Sequence, residues 1–114
     1  MFITQAVSAC YQGTVPGGFS YRLAQDFPAF KGHFEGNPLL PAVCHLSFCS
    51  EAAGRLFKRK VSVKAVKRAK FMNPVLPGAW IEITLSERKD GWYLAELKER
   101  NTAKKLSQII LQFE

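Results

Sequence analysis

The stretch Gly32–Glu51, GHFEGNPLLPAVCHLSFCSE, changes character halfway along. Its front half sets Gly32, Gly36, Pro38 and Pro41 around His33, and glycine and proline at this density break regular structure. From Leu40 the pattern turns helical and stays so to about Arg59. Pro41 suits the first turn of a helix, where its missing N–H is no loss. Val43, Leu46, Ser50, Ala53 and Phe57 recur at three- and four-residue spacing. Cys44, Phe48, Cys49, Ala52 and Leu56 make the remaining faces apolar or small, the pattern of a helix buried nearly all round. A histidine is thus held in a tight loop immediately before a core helix.

Working outward, the preceding segment Thr14–Ala24, TVPGGFSYRLA, reads as a Pro-Gly-Gly turn followed by one extended piece. Everything after the helix reads as strands. Val61, Val63, Ala65, Ala69 and Phe71 alternate with Ser62, Lys64, Arg68 and Lys70. Asn73–Gly78, NPVLPG, is a break. Ile81, Ile83 and Leu85 alternate with polar neighbours, Asp90-Gly91 marks a hairpin, and Trp92–Arg100 and Ser107–Phe113 alternate again. One strand, one long helix and about four antiparallel strands predict an α+β domain, its sheet curled round a single central helix. At 114 residues the chain, 1–114, suits one domain able to bury about two thirds of its unfolded surface.

Composition narrows the class further. No apolar run reaches the roughly 18 residues of a membrane span, and the N-terminal segment lacks the pattern of a signal peptide. Cys10, Cys44 and Cys49 have no metal-site spacing. Cys44 and Cys49 stand about 500° apart on the helix at 100° per residue, so they do not face one another. Reduced core cysteines in a cytoplasmic protein are the expectation. The net charge is +7, and Lys58, Arg59, Lys60, Lys64, Lys67, Arg68 and Lys70 follow one another without an acid. Such a run is either a solvated strand face or an attractor for an anionic partner. Aromatic stacking platforms are not interleaved with it, so nucleic acid is not the expected partner.

Two segments carry a resemblance. His33–Val43, HFEGNPLLPAV, is similar to the pattern His-Phe-Pro-Gly-x-Pro-x-x-Pro-Gly-Val, and Lys70–Gly78, KFMNPVLPG, to Lys-Phe-x-x-Pro-Val-x-Pro-Gly. Both patterns belong to the hot-dog 3-hydroxyacyl-[acyl carrier protein] dehydratases of fatty acid and polyene synthesis. The short length resembles the compact thioester dehydratases associated with aryl polyene clusters. The resemblance implies a hot-dog fold, with the sheet wrapped around the central helix.

It also implies site residues. Dehydration of a 3-hydroxyacyl thioester needs a base for the proton beside the carbonyl, donors for charge growing on the carbonyl oxygen, and an acid for the departing hydroxyl. His33 falls at the family's base, its far nitrogen donating to the carbonyl of Leu39. The leading oxygen donor is the N–H of Ala42, where the family has glycine, at a helix N-terminus suited to developing negative charge. Gly36 serves the loop turn. Glu35 replaces the family's proline. The acid, fourteen residues after the histidine, is replaced by Ser47, whose hydroxyl can hold an oxygen but cannot act as a carboxyl group. Glu51, one turn further on, is either a displaced acid or the partner of Arg55 at i+4. His45 lies about 200° from Ser47 round the helix and is expected to be packed or dimer-facing.

Family members are dimers with histidine and acid supplied by different chains, so the implied partners are a second copy or a paralogue that keeps the acid. The implied substrate is carried by acyl carrier protein or CoA, with the basic run docking an acidic carrier. No metal, cofactor or membrane is expected. A hot-dog acyl thioesterase using Glu51 and a non-catalytic acyl-binding subunit are the alternatives, because the fold hosts all three.

Overall fold

The computed structural model describes residues 3–30 and 39–114. Six strands form one antiparallel sheet in the order β1-β2-β4-β5-β6-β3. The strands are β1 (Tyr11–Val15), β2 (Gly18–Arg22), β3 (Val63–Phe71), β4 (Trp80–Glu87), β5 (Tyr93–Glu99) and β6 (Lys105–Phe113). The long helix α2 (Ala42–Phe57) separates β2 from β3 in the chain, and its 16 residues span about 24 Å. A short helix, α1 (Ile3–Ala9), packs beside α2.

The sheet presents Tyr21, Ile81, Ile83, Ala95, Leu97, Ile109 and Leu111 to the core, and the spacing of two within β4, β5 and β6 gives them one face. Helix α2 answers with Cys44, His45, Phe48, Cys49, Ala52 and Ala53. Phe48 is fully enclosed and meets Tyr21 edge-on at 5.4 Å between ring centroids. All three cysteines are buried and unpaired, and burial pushes their thiols upward, Cys10 to about 11 and Cys49 to about 12.

Four expectations from the sequence are corrected here. The helix is not buried all round: Val43 is 66% exposed and Leu56 is exposed, because a helix lying on one sheet face buries only its inner stripe. That stripe runs through Cys44, Phe48 and Cys49 rather than Val43 and Ser50. Second, Pro41 is the N-cap and Ala42 begins the helix, which ends at Phe57, where Lys58 turns left-handed (φ 57°) and donates its N–H to Gly54. Third, two strands precede the helix. Pro16-Gly17 closes a hairpin in which Gly17 takes φ +76°, and a Cβ on Gly18 would collide with the Ile83 carbonyl where β2 meets β4. Finally, β3 alternates only over Val63–Ala65. Register shifts after Val63 and Val66 interrupt the pleat, leaving Val66 and Phe71 exposed on an edge strand.

Candidate functional site

The two sequence segments that flank α2 meet at its N-terminus. Leu40 donates its N–H to the Val75 carbonyl at 2.9 Å, and both side chains are buried. Two further backbone bonds hold the second segment, from Met72 (2.9 Å) and Asn73 (3.3 Å) to the carbonyl of Leu106 in β6. Asn73 also reaches the Lys105 carbonyl through Nδ2 at 2.7 Å. Between the segments lies a cavity of about 340 Å³, lined by Leu39, Leu40, Ala42, His45, Phe71, Met72, Asn73 and Pro74. The cap residue Pro41 offers no side-chain hydrogen bond; its carbonyl accepts from the N–H of Cys44 at 3.0 Å, while the N–H groups of Ala42 and Val43, which open α2 beside this cavity, have no partner among the described residues. They carry the positive end of the helix dipole.

His45 forms part of the same wall. It is 3% exposed, with Nδ1 2.9 Å from Oγ of Ser107 in β6 and its ring edge-on to Phe71 at 4.9 Å. Burial lowers its pKa to about 4, so the imidazole is neutral at neutral pH. The expectation of a packed histidine agrees with this geometry, but its place beside the helix N-terminus escaped the sequence reading. The signal was available: His45 follows Ala42 by three residues, and residues so spaced share a helix face. Measured from Ser47 instead, it pointed away.

Ser47 and Glu51 line a different cavity, of about 490 Å³, together with Thr4, Val7 and Ser8 of α1, Ser50, and Lys60–Ser62 beyond the helix. Among the described residues, Ser47 makes only a long contact, 3.5 Å, to the Val43 carbonyl. Glu51 is engaged twice through Oε2, by Tyr21 Oη at 2.7 Å and by Arg55 Nε at 2.6 Å. Arg55 in turn lies 3.5 Å over the Tyr11 ring. Burial, followed by the bond to Glu51, pushes the Tyr21 phenol far up. The i+4 pairing with Arg55 is therefore the one observed.

Within one chain, then, Ala42 and Leu39 stand together, Ser47 and Glu51 stand together, and the two pairs face different cavities. His33, Glu35 and Gly36 lie outside the described residues. The basic run divides. Lys60 borders the Ser47 cavity, Lys67 lies 5.3 Å over Trp92, and Arg68 and Lys70 join Arg88 around a third hollow beside Gln108. Among the described residues, the ion pairs are Arg55–Glu51 and Arg100–Glu82, neither involving the run. No described helix is long and apolar enough to cross a membrane.

The chain is 34% identical over 71 residues to the 3-hydroxyacyl-[acyl-carrier-protein] dehydratase FabZ of Haemophilus influenzae (strain PittEE), a match covering 55% of this chain and 48% of that one. The chain thus spans about half the length of the curated relatives it matches. Among solved structures, the dehydratase heterocomplex ApeI:P from Xenorhabdus doucetiae superposes with a TM-score of 0.72 at 22% identity, covering 84% of each chain. An uncharacterized protein from Erwinia carotovora subsp. atroseptica follows at 0.68 and 22%, covering 91% of this chain and 89% of that one. These two likenesses establish the hot-dog fold. The family model of the ApeI-like dehydratases, described as ApeI dehydratase, matches residues 17–108, from the β1–β2 hairpin into the last strand. With so much of the chain matched, this protein belongs to the ApeI-like dehydratase family of hot-dog proteins.

Proposed function

We propose that residues 1–114 act as one hot-dog unit that supplies the base and the oxygen-binding platform of a 3-hydroxyacyl-thioester dehydratase of fatty acid or polyene synthesis, while a paralogous subunit supplies the acid. The observation that carries this reading is the separation of the two cavities. The helix N-terminus at Ala42 opens on one, and Ser47, at the position of the family's acid, opens on the other.

In this reading His33 takes the proton from the carbon beside the thioester carbonyl. The N–H groups at the start of α2 hold the oxygen as negative charge grows on it. The hydroxyl leaves from the next carbon as water, taking a proton from the partner's carboxyl group, and an enoyl thioester remains. Ser47 holds an oxygen by hydrogen bonding but has no proton to give at neutral pH. Glu51 is committed to Tyr21 and Arg55, which weighs against both a displaced acid and the thioesterase reading. The open edge of β3, with exposed Val66 and Phe71, supports pairing with a second chain. That the neighbour from Xenorhabdus is a dehydratase heterocomplex supports a mixed pair. The basic run, unpaired by acids among the described residues, suits the acidic surface of a carrier protein.

The test is turnover of a 3-hydroxyacyl thioester on its carrier by the chain alone and after addition of a paralogue that has the acid. The expected result is negligible turnover alone and activity in the mixture that His33→Ala in this chain abolishes. Activity in the mixture indifferent to His33→Ala would instead make this chain a non-catalytic acyl-binding subunit.

A further inference from the structure

The buried face of α2 is apolar or small at Cys44, Phe48, Cys49, Ala52 and Ala53, and His45 is its one polar exception. A hydrocarbon side chain could fill that place without the cost of desolvating an imidazole and a hydroxyl. The exception stands where the helix N-terminus and the cavity meet.

The hydrogen-bond pattern among the described residues points to the nitrogen that carries the proton. Ser107 is completely buried, and its Oγ is bonded to Nδ1 of His45. Were Nδ1 the donor, the Ser107 hydroxyl proton would need another acceptor, and none is bonded to it among the described residues. With Ser107 donating to Nδ1, both groups are satisfied and the ring proton rests on Nε2. The two ring nitrogens point away from each other, so with Nδ1 turned to β6, Nε2 is the polar atom left for the cavity that His45 lines. No buried side-chain nitrogen or oxygen among the described residues lacks a partner, which agrees with Nε2 reaching open space. A neutral imidazole N–H of this kind can polarise a carbonyl, as a backbone N–H does.

We propose that His45 is a second oxygen-binding residue of the site, its Nε2–H joining the N–H groups that open α2 to hold the carbonyl oxygen of the acyl thioester. This rests on the thioester reading given above. It gives a dehydratase-type site whose oxygen platform is part backbone and part side chain. Ser107, which does not touch the substrate, is the positioning residue that sets the tautomer.

The experiment uses a conjugated dienoyl-pantetheine thioester, whose absorbance moves to longer wavelength when its carbonyl is polarised. It is added to the full chain, alone and in its mixed assembly. Wild type is expected to bind it with a red shift. His45→Phe should lose the shift and lower kcat about a hundredfold, the scale of losing one such donor, with KM little changed. His45→Gln, whose amide can donate from near the Nε2 position, should recover much of both. Ring-nitrogen NMR of wild type supplies a readout independent of any variant's folding, and protonated Nε2 is expected. Protonation at Nδ1, or an unchanged red shift and kcat in folded His45→Phe, would overturn the role of His45 while leaving the dehydratase reading in place. Absence of thioester binding by wild type in both forms would overturn both.

Discussion

Helix α2 borders two cavities, and they differ in what their polar groups have left to give. In the one beside Ser47, the carboxylate of Glu51 is tied to Tyr21 and Arg55, and Arg55 is stacked on Tyr11. In the one at the N-terminus, the wall is mostly apolar, but the N–H groups that open α2 and one imidazole nitrogen have no hydrogen-bond partner among the described residues. Charged groups satisfied by one another hold structure, whereas donors left over in an apolar setting are available to a ligand. The residue with the more obvious chemistry, Glu51, is therefore on the structural side of the comparison, and an inconspicuous alanine and a packed histidine are on the other.

The broadest way to break the comparison is to remove what both cavities hang on. Phe48→Ala deletes a fully enclosed ring that packs on Tyr21 and Phe27, and should cost about 3–5 kcal/mol in urea unfolding. A loss below about 1 kcal/mol would show that α2 is not seated as described.

A pH series sharpens the N-terminal side. The pKa of His45 is about 4 in the folded chain and near 6.5 when unfolded, so the unfolded chain binds the proton first as pH falls. Its contribution is complete above about pH 6.5, declines as pH drops from there toward 4, and reaches at most about 3 kcal/mol at 1.36 kcal/mol per pKa unit. The difference between wild type and His45→Gln, measured from pH 7.5 to 4, should show that slope. Parallel curves would contradict burial of the ring.

The side of the helix facing Ser47 is sharpened by giving it an acid. Ser47→Glu should raise dehydration by the chain alone by about a hundredfold, the lower end of general acid catalysis. No gain, in a variant that still dimerises, would mean that Ser47 does not face a partner's base. The smallest effect is expected of Glu51→Gln. It keeps a hydrogen bond but loses the charge, and should cost about 1–2 kcal/mol of stability with no change in thioester hydrolysis. A loss of hydrolysis without loss of stability would move Glu51 to the catalytic side.

Much of this was legible in the sequence, for identifiable reasons. Strands β4, β5 and β6 alternate cleanly because one face meets the helix and the other does not, and Asp90-Gly91 turns the chain where a hairpin requires positive φ. That Ser47 and Glu51 share a helix face followed from their spacing of four. Helix α1 was not legible: seven residues with no acid in the first turn and no base in the last leave little local signal, and its order comes from packing on α2. The bulges in β3 likewise come from pairing with β6, which no local pattern in β3 records. That His45 packs away from Ser47 was legible from their spacing, but its place in the wall of the N-terminal cavity was not, because its neighbours Phe71 and Ser107 come from strands far along the chain.

The backbone bonds that close the N-terminal cavity have a kinetic consequence. Leu40 is tied to Val75, and Met72 and Asn73 are tied to Leu106. These closures cross long loops, the contacts that slow folding because chain entropy is lost before they form. A chain leaving the ribosome without β6 has the helix and its N-terminal N–H groups but no walled pocket. Ligand competence should therefore appear only after residue 106 has emerged and β6 has docked, making substrate binding a reporter of that docking rather than of helix formation.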